Sequence, residues 1–383
     1  MRFPEFHGEW EKHGLSEYLD FKNGLNPDSK RFGKGIKFIS VMDILNNPVI
    51  TYDCIRASVQ ATDAEISSFS VEKGDILFQR SSETLEDVGR ANVYIDDRVA
   101  VFGGFVIRGK KKANYNPLFF RYLLSSPYAR KRIIPMGAGA QHFNIGQEGL
   151  SKVLLNFPSI EEQTKIASLL HLLDERIATQ SKLIEKLESL IKGIVDCTIL
   201  RKEKNAIIGD VCSISEQIRA EANIDDIITV RLHGNGVCKS SAENLQLGAT
   251  QYYRRRAGQL IYGKQNFHNG AIGIVPISLD NGITSKDIPS FDIDEIKCNS
   301  VYLLAQLQSP QYYKPAEALT TGTGSKRLKE ETFLKMPIVL PNKREQDNIA
   351  VLIHRASMNL DHAKRLLELL SIQKQFLLRQ MFI

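Results

Sequence analysis

The chain contains one passage twice. Residues 158–171 read PSIEEQTKIASLLH and residues 341–354 read PNKREQDNIAVLIH, a separation of 183 positions (341 − 158). The two windows agree at 7 of 14 places: Pro158/Pro341, Glu162/Glu345, Gln163/Gln346, Ile166/Ile349, Ala167/Ala350, Leu169/Leu352 and His171/His354. Such a repeat constrains the fold more than any local propensity does, because it means that one structural unit is built twice.

Downstream of each window runs a stretch without proline in which apolar side chains recur at steps of four and three. The first series is Ile166, Leu170, Leu173, Ile177, Gln180, Ile184, Leu187, Ile191 and Ile194. The second is Ile349, Ile353, Ala356, Leu360, Ala363, Leu367, Leu370, Lys374 and Leu377. This a/d heptad seam predicts two long helices packed along each other as a coiled coil, with Gln180 and Lys374 as polar breaks that fix the register. Ser159 and Asn342 are placed to cap the first turns, and Glu161, Glu162, Glu345 and Asp347 lie near the positive end of each helix dipole. About 40 residues at ~1.5 Å each give a rod of roughly 60 Å.

Upstream the repeat is fainter. LLSSP (residues 123–127) answers QLQSP (306–310), GAGAQHF (137–143) answers GTGSKRL (322–328), and GDILFQR (74–80) answers GQLIYGK (258–264), which sets Arg80 opposite Lys264. Short apolar runs such as DILFQR, FGGFVIRG and AIGIVPI, separated by Gly and Asn-Gly turns, predict mainly-β domains with a few helices. The expected fold class is α+β: two mainly-β α/β domains, residues 1–157 and 205–340, and two long antiparallel coiled-coil helices, residues 158–204 and 341–383, as a pseudo-two-fold internal repeat. With antiparallel helices the domains would sit at opposite ends of the rod.

Composition narrows the class. The 383 residues are 43% hydrophobic and 25% charged, and the formal charge of +6 points only weakly to a polyanion. Cys54, Cys197, Cys212, Cys238 and Cys298 stand singly, without a CxxC pair, so neither a zinc site nor a disulfide framework is suggested. No apolar run approaches the ~20 residues that a membrane span needs, so no membrane partner and a reducing cytoplasmic location are expected. Two unlike heads on a rod match a duplex, whose equivalent groove positions recur at roughly 34–36 Å or multiples of it. They would read a split, asymmetric sequence with an unread gap.

The opening RFPEFHGEWE, the GDILFQR block, the NPLFFRYLLSSP and ITSKDIPSF segments and the paired P-x3-EQ-x2-IA helix starts together resemble the specificity (S) subunit of type I restriction-modification systems, over the whole chain. The resemblance implies two target recognition domains on a bipartite double-stranded DNA site and two methyltransferase (M) subunits that methylate adenine. It further implies restriction (R) subunits that add an ATP-dependent nuclease and translocase. It also implies a non-catalytic S chain, with the methyl donor, ATP and Mg held by the partner subunits and no cofactor or metal of its own.

The letters agree with an absence of chemistry. NYNPLFF (residues 114–120) lacks the second proline of the loop with which adenine methyltransferases hold a flipped base, and GTGSK (322–326) lacks the spacing of a phosphate loop. His171 and His354 are paired by the repeat and would lie far apart on an antiparallel rod. DNA affinity comes mainly from Lys and Arg on phosphates and specificity from side chains on base edges, so the candidate contacts are loop residues carrying both. In the first domain these are Arg31, Lys34 and Lys37, then Arg80, Ser81 and Ser82, then Lys110, Lys111 and Lys112, and Gln141 and His142. In the second they are Arg231, His233 and Asn235, then Arg254, Arg255 and Arg256, then Lys264, Gln265, Asn266 and His268, and Lys326 and Arg327. Arg80 and Lys264 lead because they recur at one position. On the helices, Glu162, Gln163, Glu345 and Gln346 are candidates for docking the M subunits, with capping as the competing reading. A coiled-coil scaffold whose end domains bind proteins is the alternative function.

Overall fold

The fold is seen in a computed structural model that describes residues 1–240, 250–322 and 326–382. Chain contacts divide it into two compact units, Met1–Ser181 with Arg365–Ile383, and Lys182–Lys364. The first unit carries two four-stranded sheets. One has the order Leu19–Asn23, Val106–Lys111, Ile76–Gln79, Ala91–Val93 and is antiparallel throughout. The other has the order Ala57–Val59, Phe32–Ile39, Ala100–Phe102, Ser70–Val71, with a single parallel pairing between its two middle strands.

The strand Ile76–Gln79 is buried along its whole length. Successive side chains point to opposite faces. Ile76 and Phe78 therefore enter the core that holds Phe119 and Phe120 of helix α1 (Pro117–Ser125), while Leu77 joins Ile39, Phe102 and Val106 in another. The second unit repeats the device. Leu260–Tyr262 lies between Ser290–Ile293 and Ile272–Ile274, with Leu260 and Tyr262 in one core and Ile261 in a second. Each strand is preceded by a glycine with left-handed backbone, Gly74 at φ 96° and Gly258 at φ 85°, a conformation that side chains disfavour. Turn and strand together are the physical content of the GDILFQR and GQLIYGK blocks.

Two long helices complete the fold: α2 (Ile160–Val195), extended by a π-helical turn at Asp196–Leu200, and, after α3 (Ser300–Leu307), α4 (Lys343–Gln380). Ile166, Leu170, Leu173, Ile349, Ile353, Leu370 and Leu377 are buried, and Ile177, Ile184, Leu187, Ile191, Leu360 and Leu367 half-buried. Within the second unit Glu188 pairs with Lys364 at 2.8 Å and Lys202 meets Glu345, one position rising as the other falls, so the helices run antiparallel. In the first unit Leu170 and Leu173 of α2 share a core with Leu370 and Leu377 of α4. The polar break at Lys374 is an ion pair with Asp174 at 2.5 Å, and Asp174 also accepts from the Tyr122 hydroxyl at 2.8 Å and from Arg121 at 3.3 Å. A carboxylate with three partners on two other helices, α1 and α4, resists sliding, because a shift by one turn would strand it half-buried. Among the described residues no helix is long and apolar enough to cross a membrane.

Candidate nucleic-acid interface

The repeated helix starts are internal joints. In the first unit the Gln163 side chain is buried; its Oε1 accepts from the Asn116 amide at 3.1 Å and its Nε2 donates to the Pro158 carbonyl at 3.1 Å. In the second, Gln346 Oε1 accepts from the Asn299 amide at 2.9 Å, and its Nε2 donates to the Pro341 carbonyl at 2.8 Å and the Lys297 carbonyl at 3.1 Å. Asn116 and Asn299 are themselves 183 apart (299 − 116), and each caps the helix that follows it, α1 or α3. The glutamine thus ties a long helix to the N-terminus of a short domain helix, where backbone donors have no intrahelical partner.

This corrects the docking assignment. Gln163 and Gln346 are spent on the joints, and the carboxylate of Glu162, 1% exposed, accepts from Arg2 Nε on Oε1 and from Arg2 Nη2 on Oε2, at 2.7 Å each. Glu345 meets Lys202. Each of the four side chains has a partner within the chain: the glutamines serve the joints and the glutamates ion pairs.

In the first domain, the structure brings some candidates together and sets others apart. Arg80 is half-buried, donates to the Gly104 carbonyl at 3.2 Å and forms no ion pair among the described residues. Its neighbours Ser81–Ser82 pair with Phe143–Asn144, which places exposed Gln141 and His142 on the same edge. Lys34 is exposed. Arg31 is spent on Glu65, whose carboxyl this guanidinium holds down to about 2, and Lys37 donates to the Ile55 carbonyl at 2.7 Å. Lys110, Lys111 and Lys112 lie at or beyond the far end of Val106–Lys111 from Arg80, about 17 Å along a strand of that rise. Lys110 pairs with Glu72 at 3.3 Å, Lys111 donates to the Tyr115 carbonyl at 3.2 Å and Lys112 to the Ser16 carbonyl at 2.7 Å. These lysines do not share the Arg80 face.

The second domain requires two corrections. Arg255 is fully buried: it donates to Thr284 Oγ1 at 2.7 Å, Ser290 Oγ at 2.8 Å, the Ile288 carbonyl at 2.9 Å and Gln217 Oε1 at 3.3 Å, and burial pushes its pKa down to about 10. It is a core residue, unlike exposed Arg254 and Arg256. Lys264, 12% exposed, is paired with Glu330 at 2.7 Å and so is not a free phosphate contact. Lys326 and Arg327 are likewise paired, with Glu317 at 2.9 Å and Asp287 at 3.3 Å; residues 323–325 of the same GTGSKRL segment lie outside the described residues. A different loop pair comes together instead. The His233 and Gly234 amides donate to the Asn269 and Gly270 carbonyls at 2.7 and 2.9 Å, which joins Arg231, His233 and Asn235 to Gln265, Asn266 and His268. Of these only His268 is not exposed.

Residues 7–189 match the type I restriction modification DNA specificity domain. A putative type I restriction enzyme MjaX specificity subunit from Methanocaldococcus jannaschii is 24% identical over 192 residues, 49% of this chain. Over its first half the chain is thus similar to type I restriction-modification specificity subunits. The alignment spans only 44% of that archaeal relative. The crystal structure of the type I restriction-modification S subunit from M. genitalium superposes on 100% of this chain and 99% of its own with a TM-score of 0.65 at 13% identity. A chain from work on complex assembly and conformational transition of the type I R-M system covers 98% and 97% with a TM-score of 0.53 at 12% identity. These likenesses establish the fold: a mixed α/β architecture with two domains and coiled-coil helices.

The face around Arg80 holds two further residues that sequence reasoning missed. Phe105 is 70% exposed at the tip of the turn between Ala100–Phe102 and Val106–Lys111, and exposed Asn26 lies against Gly104. The signal for both was the FGGF turn. A Cβ on Gly104 would fall 1.8 Å from Asn26 Oδ1, so only glycine admits the amide there.

Proposed function

We propose that the chain is the DNA-reading, non-catalytic subunit of a type I restriction-modification complex, with residues 1–157 and 205–340 as two target recognition domains of unlike specificity on one bipartite double-stranded site. Residues 158–204 and 341–383 form the spacer, and methyl donor, ATP and Mg belong to M and R subunits that assemble on it. One observation carries the reading: the same glutamine joint fixes both domains to their helices, while the loops around Arg80 and around His233 present different side chains. A duplicated mount with unlike faces suits a reader of two different half-sites. Arg80, Lys34, Gln141 and His142 serve the first, and Arg231, His233, Asn235, Gln265 and Asn266 the second. In place of Glu162 and Gln163, the exposed apolar positions Leu172, Leu369, Ile372 and Phe376 in the first unit, and Leu190 and Leu352 in the second, offer surface for the M subunits.

Mapping methylated adenine across the host genome tests this. Deleting the gene should erase methylation at one split sequence and leave other modified sites untouched. An unchanged methylation map would end the proposal.

A further inference from the structure

We propose that the apolar hollow beside Arg80 reads one A·T base pair, seating the thymine 5-methyl group against Phe105 and Met42 and presenting the Asn26 amide to the adenine edge. This rests on the DNA-reading function proposed above and adds the chemistry of one recognised position.

The hollow has a volume of about 480 Å³ and lies between the turn at residues 103–106 and the segments at 25–27 and 38–42. Three large apolar side chains stand open around it: Phe105 at 70% exposure, Met42 at 60% and Phe32 at 42%. Their neighbours Phe102 and Val106 are fully buried, so the domain has the means to hide apolar groups and leaves these three out. Exposed apolar groups gathered in one place mark a contact surface.

Charge selects the occupant. Among the described residues no ionised side chain lines the hollow and Arg80 has no ion pair, so no carboxylate repels a phosphate there, while the Arg80 guanidinium donates to the Gly104 carbonyl at 3.2 Å beside it. Lys34, exposed, lies two residues from Phe32. An apolar wall beside an amide is the combination an A·T pair asks for in the major groove: thymine offers a methyl group that no other base carries, and adenine offers N7 as acceptor and N6–H as donor, which a carboxamide answers with one donor and one acceptor. The Asn26 amide lies against Gly104, where any side chain would displace it.

Deoxyuridine gives a clean probe, since it removes the methyl group and nothing else. The full chain, assembled with its methyltransferase subunits, would be used to select its site from random duplexes, and each thymine of that site then replaced singly by deoxyuridine. One thymine in one half-site should show binding weakened about fourfold, the worth of one buried methyl group. The difference should vanish in Phe105→Ala and shrink in Met42→Ala, while Asn26→Ala should relax discrimination at the same pair by roughly tenfold. Both apolar side chains are largely exposed, so unchanged thermal unfolding and subunit assembly certify the variants. If no deoxyuridine position matters, or the loss persists in both apolar variants, the pocket assignment is overturned and DNA reading stands. If Phe105→Ala instead sheds the methyltransferase subunits, the hollow holds a protein and the assignment again fails. If no sequence is selected, the DNA-reading function itself falls and takes this inference with it.

Discussion

The two units are alike where the chain turns into its helix and unlike where it faces outward. Asn116 with Gln163 and Asn299 with Gln346 form one joint in two copies, at 3.1 and 2.9 Å. Even the next contact is paired: Asn116 Nδ2 donates to Thr164 Oγ1 at 3.4 Å, and Asn299 Nδ2 donates to Asp347 Oδ1 at 2.8 Å. At the end of the repeated strand the copies part, since Arg80 carries no ion pair among the described residues and Lys264 is held by Glu330. The difference teaches that shared letters in this chain mark attachment, and that a cation repeated by position is not thereby repeated in use.

The largest effect should come from the residue that belongs to the core of one unit and has no counterpart in the comparison. Arg255→Ala deletes four hydrogen bonds and leaves a cavity beside Thr284 and Ser290, both buried. Lost bonds and cavity together should cost about 3–5 kcal/mol. Lysine should rescue little of this, because a point charge cannot replace a planar fork of donors. Chemical denaturation of the variants checks it. An Arg255→Ala protein as stable as the parent but weak on DNA would return Arg255 to the reading face.

How much of this was legible beforehand depends on what each residue answers to. The seam was readable because a heptad is a period, and Ile166 or Leu370 needs only its neighbours along one helix to declare its face. The turn and strand of GDILFQR were readable for the same local reason. Gln163 and Gln346 were found but misread: a polar side chain at a helix start is equally consistent with an exposed docking face and with a buried joint, and only the packing of Asn116 and Asn299 against them decides. Arg255 is the sharpest case. Arg254, Arg255 and Arg256 are adjacent identical letters, yet the middle one, just past the strand Tyr252–Arg254, turns inward to acceptors 29 to 38 positions away in sequence. Long-range acceptors leave no trace in the local pattern, and neither does the carboxylate of Glu330 that occupies Lys264.

The joints themselves sharpen the comparison at the next level of effect. Replacing Gln346 by leucine keeps the bulk and leaves the Asn299 amide and the Pro341 and Lys297 carbonyls without that partner. Gln163→Leu orphans one group fewer, the Asn116 amide and the Pro158 carbonyl. Unsatisfied buried groups cost about 1–3 kcal/mol each before relaxation and water recover part of it. We expect a loss of roughly 3 kcal/mol for Gln346→Leu and about 2 kcal/mol for Gln163→Leu on the same grounds. Amide hydrogen exchange at Asn299 and Asn116 reads the two joints separately. Equal and negligible acceleration at both would mean that the glutamines do not hold the helices.

The smallest effects address the outward faces. Arg80→Ala should weaken DNA binding about tenfold and flatten its dependence on salt by about one counterion, as expected when one phosphate contact is removed. Lys264→Met should leave both quantities unchanged and lower stability by no more than about 1 kcal/mol, because its partner Glu330 stays partly in water once unpaired. The contrast turns on the ion pair alone, so Glu330→Gln supplies the converse: it frees the Lys264 ammonium while leaving the turn after Leu260–Tyr262 that carries it unaltered in sequence. If Lys264 then begins to contribute to the salt dependence, the second domain holds a phosphate contact in reserve under a carboxylate. If Lys264→Met already flattens the salt dependence as Arg80→Ala does, the pair opens on DNA and the two faces are more alike than their resting contacts make them.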